Sequence, residues 1–132
     1  MTRRFGWAAL VVAVVAGVSC GDSSGPQPGN LIVRLVSPNS GADSAMIVTI
    51  TGPAPLTAAT PGPGLRLFQQ PLGNTTTRFA LVGQLNANAT VLTIGVANTG
   101  DFSAYSGTIN AVALPNLQLR TSLSGYGLAV IR

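Results

Sequence analysis

The residues able to do chemistry are few. The 132-residue chain holds three acids (Asp22, Asp43 and Asp101), seven Arg and a single Cys, with no Lys, His or Glu. That inventory excludes a His-based triad, a Lys Schiff base, a Glu acid/base and a His-ligated metal. Ser and Thr are plentiful, but a Ser nucleophile would find no ordinary base. Asp43 and Asp101 are the only carboxylate side chains beyond residue 29. Paired, they could act as acid and base or hold a hard cation such as calcium, supplemented by Asn39 and Asn98. Each also sits among turn residues, in Gly41-Ala42-Asp43-Ser44 and Thr99-Gly100-Asp101, where an Asp bonds its own backbone. Phe102 and Tyr105 follow in one loop, which could stack on a sugar ring or simply pack locally. The expectation is no catalytic residue and no resident metal or other cofactor. Asp43 and Asp101 are the candidates for a cation, and Phe102 and Tyr105 those for a ligand.

Cys20 is the remaining reactive group, and its surroundings give it a use. Arg3 and Arg4 precede an apolar run from Trp7 to Val18, and Ser19 and Cys20 follow at once. Basic residues, a short apolar core and a small residue, in that order, make a secretory signal. The run is too short for a permanent span, which needs ~20 apolar residues. Gly21 to Gly29 reads GDSSGPQPG, a small, polar tether with nothing to bury. The expected organisation is a signal over residues 1–19, cleaved after Ser19, then Cys20 with the tether over 20–29, then one domain over 30–132.

Gly17-Val18-Ser19-Cys20 resembles the lipobox of bacterial lipoproteins. Val18 and Ser19 match that pattern, whereas Gly17 stands where a large aliphatic is usual. The resemblance implies a diacylglyceryl group on the Cys20 thiol, cleavage before Cys20 and acylation of the new amine. It also implies export and anchoring to the cell envelope through lipid. In the sorting logic of such lipoproteins, Asp directly after the Cys retains the protein at the inner membrane. Gly21 holds that place here, which implies the outer membrane. More broadly, the chain looks like short lipoproteins of high-GC bacteria, in which Arg replaces Lys.

Past residue 29 the pattern is alternation. Leu31/Val33/Leu35, Met46/Val48/Ile50, Phe79/Leu81/Leu85 and Leu92/Ile94/Val96 each give a strand one apolar face. Leu65–Gln70 reads as an edge strand, Gly107–Leu114 as another strand, and Tyr126, Leu128 and Val130 as the last. Leu117 and Leu119 alternate with Gln118 and Arg120 between the last two. Gly52 to Gly64, with four Pro, reads as a long irregular connection. The strands over 77–85 and 90–97, three or four residues apart, read as a hairpin. No helical period is present after residue 20. The expected fold is all-β, a single antiparallel β-sandwich of seven or eight strands. A small barrel is the alternative.

The C-terminal half also resembles cohesin-like and immunoglobulin-like modules of secreted bacterial proteins. The carriers are Leu92-Thr93-Ile94-Gly95-Val96, Asn98-Thr99-Gly100-Asp101 and Gly107-Thr108-Ile109. The resemblance implies a carbohydrate-binding or docking module as the alternative to plain display, adhesion or structural roles. A metal-assisted or acid-catalysed hydrolase comes third. Without residues 1–19, five Arg against three Asp leave a net charge of +2. Those Arg are scattered singly, so nucleic acid is not an expected partner; a membrane, an envelope protein or a glycan is.

Overall fold

In the computed structural model, residues 25–132 are described. Eight strands form: β1 (Gly29–Val36), β2 (Asp43–Thr51), β3 (Ala58–Pro61), β4 (Arg66–Pro71), β5 (Thr76–Leu85), β6 (Thr90–Val96), β7 (Ser106–Ala113) and β8 (Gly127–Ile131). One short 3₁₀ segment, Thr99–Ala104, joins β6 to β7. The strands build two four-stranded sheets, sheet I in the order β3-β6-β1-β8 and sheet II in the order β4-β5-β2-β7. All pairings are antiparallel. The all-β sandwich expected from the alternation is the fold, with no closed barrel.

The alternation explains the layers. The four apolar sets named above are all buried and meet between the sheets, joined by Val91, Tyr105 and Val112. Burying one face of each sheet against the other is the main source of stability in such a fold. Among the described residues, every strand and every core residue falls within residues 29–131. The two sheets come together along β7 and β8, where an added Cβ on Gly107 would lie 2.7 Å from Leu128 Cδ1. Along the other side, β3 and β4, they part around a cleft of about 150 Å³.

Two expectations are corrected. β5 and β6 do not form a hairpin, because they belong to different sheets. The chain crosses between the layers through Asn86–Ala89. There Asn88, in the left-handed region at φ 63°, donates its N–H to the Leu35 carbonyl. The Ala89 carbonyl accepts from Leu35 N–H. β6 thus satisfies its backbone against β1 and β3, and β5 against β2 and β4. The Pro-rich stretch is not wholly irregular either: Ala58–Pro61 is a strand at the edge of sheet I, pairing with β6. An edge strand tolerates a Pro because only one side of its backbone must bond.

The N-terminal side of β1 is tied down. Gln27 accepts a hydrogen bond from Thr99 N–H at 2.8 Å and donates its own N–H to Asn98 Oδ1 at 3.2 Å. Ser19, Cys20 and the signal expected before them lie outside the described residues. Among the described residues, no helix is long and apolar enough to cross a membrane.

Candidate functional site

The two candidate carboxylates are not brought together. Asp43 opens β2, whereas Asp101 lies in the 3₁₀ segment that leads to Ser106, the residue paired with Thr51 at the far end of β2. Eight residue steps separate those ends, about 26 Å at ~3.3 Å per step. Among the described residues, no three Asp, Glu, His or Cys side chains group as metal ligands would.

Asp43 is buried, with 2% of its surface exposed. Simple alternation would put it on the outer face with Ala45 and Ile47. A bulge changes this. Ala45 pairs with Val82 but Asp43 pairs with Leu85, so β5 carries one residue more than β2 at this point. Asp43 thereby turns inward beside Leu85. Its Oδ1 accepts from Arg120 Nε at 2.6 Å and its Oδ2 from the Tyr126 hydroxyl at 2.6 Å. That hydroxyl accepts in turn from Asn39 Nδ2 at 2.9 Å. The Arg120 guanidinium lies over the Tyr126 ring, 5.9 Å from its centroid. Four residues from two stretches far apart in sequence, Asn39 and Asp43 in one and Arg120 and Tyr126 in the other, therefore clasp the β1–β2 turn, the start of β2 and the approach to β8.

The clasp also holds the segment after β7. Arg120 N–H donates to the Val112 carbonyl, and Leu119 bridges Ala113, so residues 118–120 run back along the edge of β7. Between them Leu114–Gln118 makes a tight hairpin. Leu114 N–H donates to the Gln118 carbonyl, and Leu117 N–H to the Leu114 carbonyl. The last residue of such a three-residue loop takes a left-handed backbone, where Gly is the usual occupant. Here it is Leu117, at φ 70° and 87% exposed. The expected alternation of Leu117 with Leu119 is thus a hairpin tip, with both Leu in solvent and Leu119 64% exposed.

Beside this tip lies the outer face of sheet II, which is divided across its strands. One row reads Arg66, Val82, Ala45, Ala113, and the next Phe68, Ala80, Ile47, Ala111. The third reads Gln70, Arg78, Thr49, Thr108. The first two rows are apolar apart from Arg66, whose guanidinium stands 5.6 Å from the Phe68 ring centroid. The third is polar, and Thr49 bonds Asn110 there. Among the described residues seven large hydrophobics are exposed, and five of them (Ile47, Phe68, Val82, Leu117 and Leu119) lie in the apolar rows or the adjoining hairpin. A shallow groove of about 230 Å³ runs over Ala45, Ile47, Val82 and Ala111 to Leu119. It continues into a wider one of about 500 Å³ beside Leu117. Monomeric domains seldom leave a contiguous apolar face uncovered unless it binds something.

The other sequence candidates, Phe102 and Tyr105, have packing roles. Tyr105 is buried, and its ring fills the space above Gly52, where an added Cβ would lie 2.2 Å from Tyr105 Cδ1. Burial pushes the Tyr105 phenol above its ordinary pKa, and the Asp101 carboxylate pushes it further. Phe102 packs against the core and carries the Arg132 guanidinium 4.9 Å from its ring centroid. Sequence reasoning missed the apolar face. Its signal was there in Ile47, Ala80 and Val82, which occupy the outward positions of strands whose inward faces are already apolar.

Searches among known protein families, characterised proteins and solved structures gave no match to this chain.

Proposed function

We propose that this protein is a lipid-anchored module of the cell envelope that binds a partner, without catalysis, through the outer face of sheet II. The observation that carries the reading is the concentration of exposed apolar side chains in two rows of one sheet face and in the adjoining Leu117 hairpin. The clasp supports it, since Asp43 and Arg120 hold the hairpin that presents Leu117 at the end of that face. A Leu kept in a backbone conformation that suits Gly, with its side chain in solvent, does nothing for folding and points to use.

The anchor is carried by the sequence alone, through Cys20 and the signal before it. No observation favours the sugar-binding alternative, because Tyr105 is buried and Phe102 is stacked under Arg132.

A photoreactive residue placed at Ile47 in the full chain, in its envelope, tests the face. Adducts are expected from Ile47 and not from Arg34 on the outer face of sheet I. Equal yields from both, or none from Ile47, overturn the reading. Labelling with a fatty-acid analogue, with Cys20→Ala as control, tests the anchor; an unlabelled wild type refutes it.

A further inference from the structure

We propose that the apolar half of sheet II's outer face, with the Leu117 hairpin, docks on an anionic lipid surface. The inference deepens the binding-face reading above and rests on it.

Charge decides among the occupants. Among the described residues, the acids are Asp43, buried against Arg120, and Asp101, at the far end of the sandwich. No acidic side chain lies on this face, while Arg66 stands in its first row and Arg78 just beyond its second. Both Arg are exposed. A second copy seated here would offer these guanidinium groups no carboxylate partner, since the face itself carries none. An anionic surface would meet the same groups with the opposite sign.

The chemistry of the two rows then separates a lipid surface from a polypeptide. Specific protein interfaces carry about one hydrogen bond per 100–200 Å². Within the two rows Arg66 alone carries a side-chain donor, with Ser44 and Gln84 at the margin in the wider groove. Ala45, Ile47, Ala80, Val82 and Ala111 have neither donor nor acceptor, and their backbones are already paired within the sheet. A lipid surface asks only for apolar side chains to enter the headgroup–acyl boundary and for cations at the headgroups. Phe68, 52% exposed, and Leu117, at the hairpin tip, supply the first. Arg66 and Arg78 supply the second, worth roughly fivefold each in affinity for an anionic leaflet.

The test uses the full chain. The only Trp of the sequence, Trp7, lies in the expected signal, and Trp7→Phe keeps any uncleaved chain from contributing fluorescence. On that background, Leu117→Trp, and separately Leu119→Trp, places a fluorescent reporter at the tip. Thr60→Trp, exposed on β3 in the other sheet, is the reference with the same N-terminal attachment. Each protein is bound to vesicles of equal parts phosphatidylglycerol and phosphatidylcholine that contain brominated acyl chains. The tip reporters should be quenched several-fold more than Thr60→Trp. Arg66→Gln with Arg78→Gln, or neutral phosphatidylcholine vesicles, should bring them near the reference. Equal quenching at residues 117, 119 and 60 overturns the proposal, as does tip quenching indifferent to both charge changes. Protein adducts from the Ile47 photoprobe with unquenched tip reporters would sink the lipid assignment and leave the binding face standing. An inert photoprobe with unquenched reporters removes both.

Discussion

The two ends of the sandwich are built in opposite senses. At the end where Asp101 lies, the aromatic ring of Tyr105 is inside and the carboxylate outside, the usual sorting. At the end where Asp43 lies, the carboxylate is inside and Leu117 and Leu119 are outside. Burial of an ion pair is an expensive way to gain stability, because desolvation offsets most of the attraction. Exposure of two Leu gains none. The ordinary end is explained by folding alone. The inverted end is explained if the buried pair exists to hold the exposed Leu in place, and this makes the clasp and the tip one device.

The largest expected effect breaks the inverted end. Arg120→Ala leaves the Asp43 carboxylate buried with only the Tyr126 hydroxyl as partner. Removing one member of a buried pair costs about 3 kcal/mol or more. Because Arg120 keeps about a fifth of its side chain exposed, the lower bound is the better guide. Urea unfolding should show that loss, and equal stability of wild type and variant would refute the clasp. Asp101→Asn at the ordinary end should change stability by less than ~0.5 kcal/mol, as exposed sites do.

The ordinary end has its own weak point, with the next largest effect. Gly52 has no side chain because Tyr105 occupies the space one would need. Gly52→Ala forces the ring aside, and overpacking of this kind costs about 1–3 kcal/mol. Tyr105→Ala made together with Gly52→Ala should recover part of the second substitution's cost, since the new methyl group then has room. Full additivity in a double-mutant cycle would show that the two residues do not compete for space.

How much of this could be read beforehand follows from which interactions are local. The inward faces were legible, because alternation in Leu31–Leu35, Met46–Ile50 and Leu92–Val96 is a property of consecutive residues. Sheet membership was not. The pairing of β6 with β1 rather than β5 depends on where the Asn86–Ala89 backbone finds its partners, some fifty residues away in Leu35. With Gly, Ala and Ser as neighbours, Asp43 suits a turn former or a cation ligand. Only a bulge in β2–β5 pairing, together with Arg120 and Tyr126 arriving from the C-terminal segment, turns it inward. Phe102 and Tyr105 were placed in one loop, but which of them the core would take was set by the gap above Gly52. Short-range patterns specified the layers, whereas the candidate site depends on contacts spanning about eighty positions.

A smaller effect separates use from stability at the tip. Leu117→Gly suits φ 70°, so the strain of a left-handed Leu, about 1–2 kcal/mol, is relieved. The greater freedom of Gly in the unfolded chain offsets about 0.5–1 kcal/mol of that. The variant should therefore be more stable than the wild type by about 0.5 kcal/mol while losing binding to anionic vesicles. A gain in stability accompanied by unchanged binding would leave the tip without a purpose. Loss of both would mean that Leu117 packs in a way its exposure does not suggest.

The smallest effect concerns pH and belongs to the ordinary end. Burial, and then Asp101, raise the Tyr105 phenol above its ordinary pKa, so the folded state prefers the neutral ring. A group whose folded pKa is raised contributes stability that is fully present below its unfolded value, near ~10, and is lost as pH rises through the folded value. Unfolding midpoints should thus fall across the alkaline range, above about pH 10, and fall less steeply in Tyr105→Phe. Asp101→Asn removes the smaller of the two causes, so Tyr105 would ionise at somewhat lower pH and the gap to Tyr105→Phe would narrow. If the alkaline decline is the same in wild type and Tyr105→Phe, the ring's burial is not what resists ionisation. The contrast between a structural end and a working end would then rest on the clasp alone.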